Sequence, residues 1–349
     1  MFYYQTILGQ NVYIVIAMIQ NFFNEISSYR SGIMGLSIIS IMLFHQYFVK
    51  SPVLNIFHNY GYWGVDVFLF LSGMGLVCSL ESHSLFVFYK RRFWRIMPAC
   101  FLCGTIKYIV FLLMGTSVVI IKNGLHIGWW SVMSLDLWYI NTIILFYILS
   151  PILYKLLKYY PVIIIMCILF SFFICGLTIR EQVGYEWMSV VGIIAWSIER
   201  LPVFILGMFL SMHKNMPHNK MMIISYISLL VAVFIIAGRK YIWGELVGQN
   251  MILTLALVLG MIALVKINIL LLKKIPLFVR NIISFWGTLS LELYLVHEFV
   301  FCVFLVRFHI NPYLQLFVSV ALSLLIAFLC KLTITEIKNY VHKTRNVDV

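Results

Sequence analysis

One histidine near the end of an apolar run is the first residue of this sequence that could carry out chemistry. The run covers residues 30–48, RSGIMGLSIISIMLFHQYF, and His45 is its only histidine. An ionisable side chain inside a membrane span is costly unless it faces a protein interior or a wet cavity, so by default it marks a functional site. The alternative is a buried ring satisfied by a backbone carbonyl or a serine. We therefore treat His45 as a candidate catalytic residue.

The next apolar run carries a carboxylate at a matching depth. Asp66 lies in the run GYWGVDVFLFLSGMGLV, four residues after Tyr62, where the predicted span begins, which is about 6 Å of helix. A carboxylate beside an imidazole fixes its tautomer and raises its basicity, which prepares the ring to take a proton from a weak nucleophile such as a sugar hydroxyl. This pattern predicts a His45–Asp66 pair. The alternative is that Asp66 caps its helix or accepts backbone hydrogen bonds.

Residues 88–98, FYKRRFWRIMP, form the densest positive cluster of the chain. Membrane orientation and contact with anionic lipid headgroups would account for the charge, at about 1 kcal/mol per basic residue. The spacing of Arg92 and Arg95 at i, i+3 adds a second feature, because it places two guanidinium groups on one helical face. That geometry suits bidentate phosphate binding.

Composition identifies the class of protein that must position these groups. The 349 residues are 63% hydrophobic and only 11% charged, which excludes a water-soluble globular domain. The net charge of +13 does not indicate nucleic-acid binding, because the basic residues are scattered between apolar runs. The seven cysteines lie in or beside apolar runs and have no metal-ligand spacing, so we interpret them as small hydrophobic residues and expect no metal site.

The apolar runs predict an all-α, polytopic membrane bundle of about ten transmembrane helices, since each span needs about 20 residues. The predicted spans are 33–49, 62–82, 99–119, 137–157, 160–178, 190–211, 222–238, 247–266, 284–306 and 313–335. We accordingly divide the chain into an N-terminal interfacial segment 1–32, a transmembrane domain 33–335 and a tail 336–349.

Lysine and arginine counts predict the orientation, because short cytoplasmic loops carry the excess. One set of connections, with the tail, holds sixteen: Lys90, Arg91, Arg92, Arg95, Lys155, Lys158, Lys214, Lys220, Lys266, Lys273, Lys274, Arg280, Lys331, Lys338, Lys343 and Arg345. The opposite set holds five: Lys50, Lys122, Arg180, Arg239 and Lys240. Both termini are therefore predicted to be cytoplasmic, and His45 to lie toward the outer leaflet.

The order and spacing of six motifs resemble one known family, the integral-membrane acyltransferase family 3 of bacterial envelopes. The motifs are MGLSIISIMLFH ending at His45, GVDVFLFLSG around Asp66, the pair Arg92 and Arg95, LWYINTIILFYILSP from Leu137, RLPVFILG from Arg200 and GTLSLELYLVHE from Gly287. No single motif is diagnostic. The resemblance extends over residues 30 to 335.

Two departures from the family pattern concern possible site residues. Where the family usually has a basic residue 11 positions before the histidine, this chain has Met34, and Arg30, one turn earlier, is the candidate substitute. The acidic pair common in the fourth span is replaced by Ile143 and Ile144. The departures suggest a divergent branch of the family, which would use an acceptor of its own.

The resemblance implies an enzyme that transfers an acyl group, most often acetyl, from cytoplasmic acyl-CoA to a hydroxyl of a cell-surface or exported glycan. Arg92 and Arg95 would hold the CoA phosphates, and His45 would meet the thioester. It also implies a location in the bacterial inner membrane, with a polysaccharide or lipid-linked saccharide as acceptor. The sequence leaves open whether His45 acts as a general base or carries the acyl group itself.

Further polar groups within the spans are candidates for the substrate channel. An Arg200–Glu292 ion pair is one interpretation of the two buried charges, and a channel lining is the other. Tyr294 is offset from Glu292 by about 200° and His297 by about 140° around the helix, so the three cannot all face one cavity. Trp138 is either an interfacial belt aromatic or part of the channel.

A secondary transporter or flippase for a lipid-linked glycan or a small anion is the alternative function. Ten spans with buried charges are equally natural in that class. Transporters often contain inverted repeats, and no repeat relates the two halves of this sequence. Consumption of a thioester by purified protein separates the two classes, because a transporter leaves acetyl-CoA intact.

Overall fold

The chain forms a bundle of α-helices. The computed structural model describes residues 22–113, 138–162, 166, 190–214, 218–238, 249–307 and 311–345. The helices within these ranges are α1 (Phe22–His45), α2 (Pro52–Tyr60), α3 (Trp63–Ser82), α4 (Leu85–Leu113), α5 (Trp138–Tyr159), α6 (Val190–Met212), α7 (His218–Gly238), α8 (Gln249–Lys274), α9 (Leu277–Thr288), α10 (Ser290–Arg307) and α11 (Pro312–Arg345). The predicted all-α class is confirmed.

Eight of the described helices are long and apolar enough to cross a membrane, and the bent pair α9–α10 makes a ninth. Nine of the ten predicted spans overlap one of these helices. The remaining one, 160–178, lies almost wholly outside the described residues. About ten spans is therefore a close prediction, and the chain is a multi-pass integral membrane protein.

Two helix starts differ from the predicted spans. Helix α1 begins at Phe22 instead of residue 33, because Glu25 is buried and accepts from two lysines of α8, Lys266 at 2.6 Å and Lys273 at 2.7 Å. Helix α4 begins at Leu85 instead of residue 99, so the basic segment 88–98 is part of this helix. The earlier start of α1 arises from contacts that local hydropathy does not register.

Glycines bring the central helices into backbone contact. Helix α3 is the most buried of the candidate spans, and its closest neighbour is α6. A Cβ added to Gly73 of α3 would overlap the carbonyl oxygen of Phe204, and one added to Gly207 of α6 would overlap that of Phe70. Side chains at either position would push the two helices apart.

Gly73→Ala should lower the stability of the folded protein by about 1–3 kcal/mol, the usual range for overpacking, because backbone atoms cannot rotate away. Gly75 on the same helix is the matched control, since an added Cβ would meet only the flexible end of Arg30 at 3.6 Å. Gly75→Ala should be neutral or stabilising, as alanine favours helix by roughly 1 kcal/mol. Thermal unfolding of the purified variants in detergent measures the difference. Equal melting temperatures for the two variants would contradict the close approach.

Candidate active site

A strongly basic cavity of about 670 Å³ lies at the end of the bundle that the loop charges predict to be cytoplasmic. It is formed by the first half of α1, the start of α4, the start of α10 and the end of α11. Its basic lining residues are Arg30, Lys90, Arg91, Arg95, Lys331 and Lys338, and its acidic one is Glu292. The excess of positive charge in one cavity suits a ligand with several phosphates.

Glu292 is held by a lysine of α11. Its Oε1 accepts from Nζ of Lys331 at 3.2 Å, while its buried Oε2 has no partner among the described residues. Of the two interpretations of these buried charges, an ion pair between Arg200 and Glu292 is therefore wrong, because Lys331 on α11 and not Arg200 on α6 supplies the cation.

A second, narrow cavity of about 40 Å³ adjoins the basic one. The residues that line both are Arg30, Met34, Arg95, Ser290 and Leu291. The rest of the narrow cavity is mainly aromatic and aliphatic, and it includes Tyr139, Tyr147, Tyr294 and Ile143. The two cavities together give a wide charged chamber that passes into a thin apolar one.

Arg30 lies where the two cavities meet. It lines both of them, and its Nη2 donates to the backbone carbonyl of Leu71 at 3.0 Å. Met34, one turn further along α1, lines the same two cavities. The basic group displaced by one helical turn therefore still faces this space, which supports the substitution that the sequence suggested.

Arg92 and Arg95 differ in their surroundings. Arg95 is exposed and lines both cavities. Arg92 is absent from both linings, and its guanidinium carbon lies 5.4 Å from the ring centroid of Phe88 and 5.7 Å from that of Tyr147. Of the two arginines, Arg95 has direct access to a ligand in the basic cavity.

His45 meets a second histidine at the far end of α1. Its Nδ1 lies 3.0 Å from the carbonyl oxygen of Ile41 and 3.1 Å from Nε2 of His297 on α10. Nδ1 of His297 lies 2.9 Å from the carbonyl oxygen of Leu293. The two rings are 5.0 Å apart between centroids, so a pair of imidazoles occupies the place where the sequence predicted an imidazole and a carboxylate.

The predicted His45–Asp66 pair is wrong. Both carboxylate oxygens of Asp66 lie 2.9 Å from Nη1 of Arg200, and both side chains are buried. The glycine contacts between α3 and α6 bring this arginine to the carboxylate, and a buried charge requires such a partner. A catalytic role for Asp66 stays a prediction, and Asp66 would have to exert it without contacting His45.

Glu298 is the acid whose charge acts on His45, and no prediction from the sequence gave it a role. It follows His297 directly in the motif LVHE, which was the available signal. The same carboxylate acts on Tyr47, just beyond the end of α1. Burial, and secondarily the charge of Glu298, raise the pKa of Tyr47.

Trp138 covers the buried ion pair. Its ring centroid lies 5.8 Å from the guanidinium carbon of Arg200 and 5.2 Å from the ring of Trp196. The ring centroid of Tyr62 lies 5.5 Å from the same guanidinium carbon. These rings cover the guanidinium of Arg200, so Trp138 lies beside the ion pair and not only in an interfacial belt.

Aromatic rings continue from the narrow cavity to His45. The centroids of Tyr139 and Tyr294 are 4.9 Å apart, and those of Tyr294 and His297 are 5.9 Å apart. Glu292 faces the basic cavity, Tyr294 the narrow one and His297 the other histidine, as their angular offsets along α10 predict. The described residues thus form a line from the basic cavity to a pair of imidazoles.

A family model of an acyltransferase domain, that of acyltransferase family 3, matches residues 32–332 of the chain. No curated protein and no solved structure matches the chain.

Proposed function

This chain belongs to acyltransferase family 3, and from that premise we propose that it transfers an acetyl group from cytoplasmic acetyl-CoA to a hydroxyl of a cell-surface or exported polysaccharide. The observation that carries the proposal is the line of sites along α1, with the basic cavity at Arg30 and the reactive imidazole at His45. Such an arrangement separates the charged part of a donor from its reacting end. The enzyme would reside in the bacterial inner membrane with both termini in the cytoplasm.

The charged part of CoA matches the basic cavity. Three phosphate groups require several cations, and Arg95, Arg91 and Lys90 on α4 face Lys331 and Lys338 on α11 across the cavity. Arginine adds planar, bidentate contacts that suit phosphate oxygens. The weakly polar pantetheine arm matches the mainly apolar lining of the narrow cavity. At about 40 Å³ this cavity would have to widen to admit the arm, and the thioester would then point toward Tyr294 and the histidines.

His45 would act at the thioester through its free ring nitrogen. As a general base, that nitrogen takes the proton of the acceptor hydroxyl while the hydroxyl oxygen bonds to the acyl carbon. The carbon–sulfur bond then breaks, and the proton passes to the departing CoA sulfur. As an acyl carrier, the same nitrogen attacks the acyl carbon first and the carbon–sulfur bond breaks to release the CoA thiolate. The acceptor hydroxyl oxygen then bonds to the acyl carbon, the carbon–nitrogen bond breaks, and the hydroxyl proton passes to the thiolate. Both routes require an unprotonated nitrogen at the time of reaction.

The decisive experiment is thioester consumption by purified protein in detergent or vesicles. Wild-type protein with acetyl-CoA and an envelope-glycan acceptor should release the free thiol of CoA and yield an acetylated glycan. A radiolabel on the acetyl group of acetyl-CoA would identify the acetylated product. If acetyl-CoA stays intact while a glycan or anion crosses the vesicle membrane, the enzyme assignment fails and the chain is a transporter.

Arg95→Ala should raise the KM for acetyl-CoA by roughly 10- to 100-fold, because a charge-assisted hydrogen bond contributes about 1.5–3 kcal/mol. Arg95→Lys should restore only part of the affinity, since an ammonium lacks the planar fork. Arg92→Ala should raise the KM less, as its guanidinium lies over Phe88 and Tyr147.

Lys155→Ala is the control for the arginine variants. Lys155 is an exposed basic residue outside both cavity linings, on the side also predicted to be cytoplasmic. Its replacement should leave the KM unchanged. If Arg95→Ala and Lys155→Ala gave the same KM, contact with lipid would explain the basic segment and the phosphate site would be abandoned.

A further inference from the structure

We propose that His297 is a positioning residue that holds His45 in the tautomer with its proton on Nδ1 and its lone pair on Nε2. The proposal rests on the proposed function in one respect, that His45 is the reacting residue. It follows from the hydrogen-bond partners of the two rings, taken in order from the more buried ring to the less buried one.

The tautomer of His297 is determined by a backbone carbonyl. Its Nδ1 lies 2.9 Å from the carbonyl oxygen of Leu293, which can only accept, so Nδ1 must carry the hydrogen. The ring is 1% exposed, and a buried imidazolium without a bonded anion is costly. A neutral imidazole has one donor and one acceptor. Nε2 of His297 is therefore an acceptor, and it faces His45.

The tautomer of His45 is fixed by two acceptors, of which His297 is one. Nδ1 of His45 lies between two acceptors, the carbonyl oxygen of Ile41 at 3.0 Å and Nε2 of His297 at 3.1 Å. The reverse tautomer would direct the Nδ1 lone pair at two other lone pairs. Nδ1 of His45 therefore carries the hydrogen, and Nε2 keeps the lone pair that can take a proton or an acyl group.

A carboxylate usually performs this task for a catalytic histidine, and here a neutral ring does so. An imidazole fixes the tautomer without placing a second charge in the bundle. The other titratable groups whose charge acts on His45 are Glu298 on α10 and His58 on α2. When His45 becomes positive during the reaction, Glu298 stabilises the charge from the same helix that carries His297.

Two substitutions separate the positioning role from simple packing. His297→Gln keeps a side-chain acceptor for Nδ1 of His45, whereas His297→Phe keeps an aromatic ring and removes the acceptor. His297→Phe leaves the Ile41 carbonyl as an acceptor for Nδ1 of His45, so kcat for acetyl transfer should fall by roughly tenfold, the value of one lost hydrogen bond, with the KM for acetyl-CoA unchanged. His297→Gln should stay within about twofold of wild type, since it retains the hydrogen bond.

His213→Phe is the matched control. His213 makes the same contact between Nδ1 and the carbonyl four residues earlier, at 2.9 Å from Phe209, but it lies outside the site and is exposed. The kcat of the His213→Phe variant should equal that of wild type. Full kcat in His297→Phe, or equal losses in the Phe and Gln variants, would overturn the positioning role.

A spectroscopic measurement tests the proposal without turnover. Nitrogen NMR of wild-type protein with isotope-labelled histidine should show His45 with hydrogen on Nδ1, its signal being assigned by its loss in His45→Ala. The Gln variant should keep that tautomer, and the Phe variant, where it folds, should contain more of the form with hydrogen on Nε2, because the carbonyl of Ile41 then favours Nδ1–H without the second acceptor. A wild-type His45 with hydrogen on Nε2 would refute the inference even if the enzyme is active. Intact acetyl-CoA with the expected tautomer would instead refute the proposed function.

Discussion

Cells carrying His45→Ala should show no acyl transfer to the glycan while the protein still inserts into the membrane and folds. General acid–base help is worth about 10² to 10⁴ in rate, so the residual activity should be near the limit of detection. Replacing the imidazole with a methyl group eases insertion, because it removes a polar ring from an apolar span. The measurements are glycan acetylation in cells and thioester consumption by the purified variant.

The control for this variant is His83→Ala. His83 follows the end of α3, and its Nδ1 lies 3.3 Å from the carbonyl oxygen of Ser79, away from the site. This variant should acetylate normally. Normal acetylation in His45→Ala cells at wild-type protein levels would remove His45 from the mechanism.

Asp66→Asn should act on stability rather than turnover. The carboxylate is paired with Arg200 in a fully buried contact, and breaking a buried pair by removing one partner costs about 3–5 kcal/mol. We expect a lower melting temperature and less inserted protein, while each folded molecule keeps its kcat. Replacing both residues by apolar ones, Asp66→Leu with Arg200→Met, should recover much of the loss, since no buried charge is left unpaired.

An exposed ion pair between α3 and the segment that follows α6 is the control for the buried pair. Glu81 on α3 and Lys214, just after α6, lie 3.5 Å apart with both side chains substantially accessible to solvent. Exposed pairs contribute about 0–1 kcal/mol, so Glu81→Gln should scarcely change the melting temperature. If Asp66→Asn instead lost turnover at unchanged stability, Asp66 would be a catalytic residue and the structural role would be refuted.

The features that depend on one helix at a time could be predicted from the sequence. The apolar runs indicated the class and nearly all the spans. The angular offsets along α10 separated Glu292, Tyr294 and His297 correctly. The 11-residue spacing indicated Arg30 as the displaced basic group, because residues one turn apart lie on the same face of a helix.

The features that depend on which helices pack against each other could not be predicted from the sequence. Asp66 was paired with His45 because the two lie at matched depth, but depth does not specify a neighbour. The glycines of α3 and α6 bring Arg200 to Asp66, and the bend of 80° between α9 and α10 precedes the helix that brings His297 to His45. Glu298 was overlooked because its neighbours on α1 and in the following segment are set by tertiary packing, which a single sequence does not reveal.

Helix α1 carries both ends of the proposed reaction on one continuous backbone. Arg30 and His45 are separated by 15 residues, or about 22 Å of helix, and α1 contains no proline. The distance from the phosphate anchor to the reactive nitrogen is then constant, whatever acyl group the donor carries. The thioester carbon would arrive at the same place for every donor, so the length of the transferred chain would be limited only by the space beyond His45.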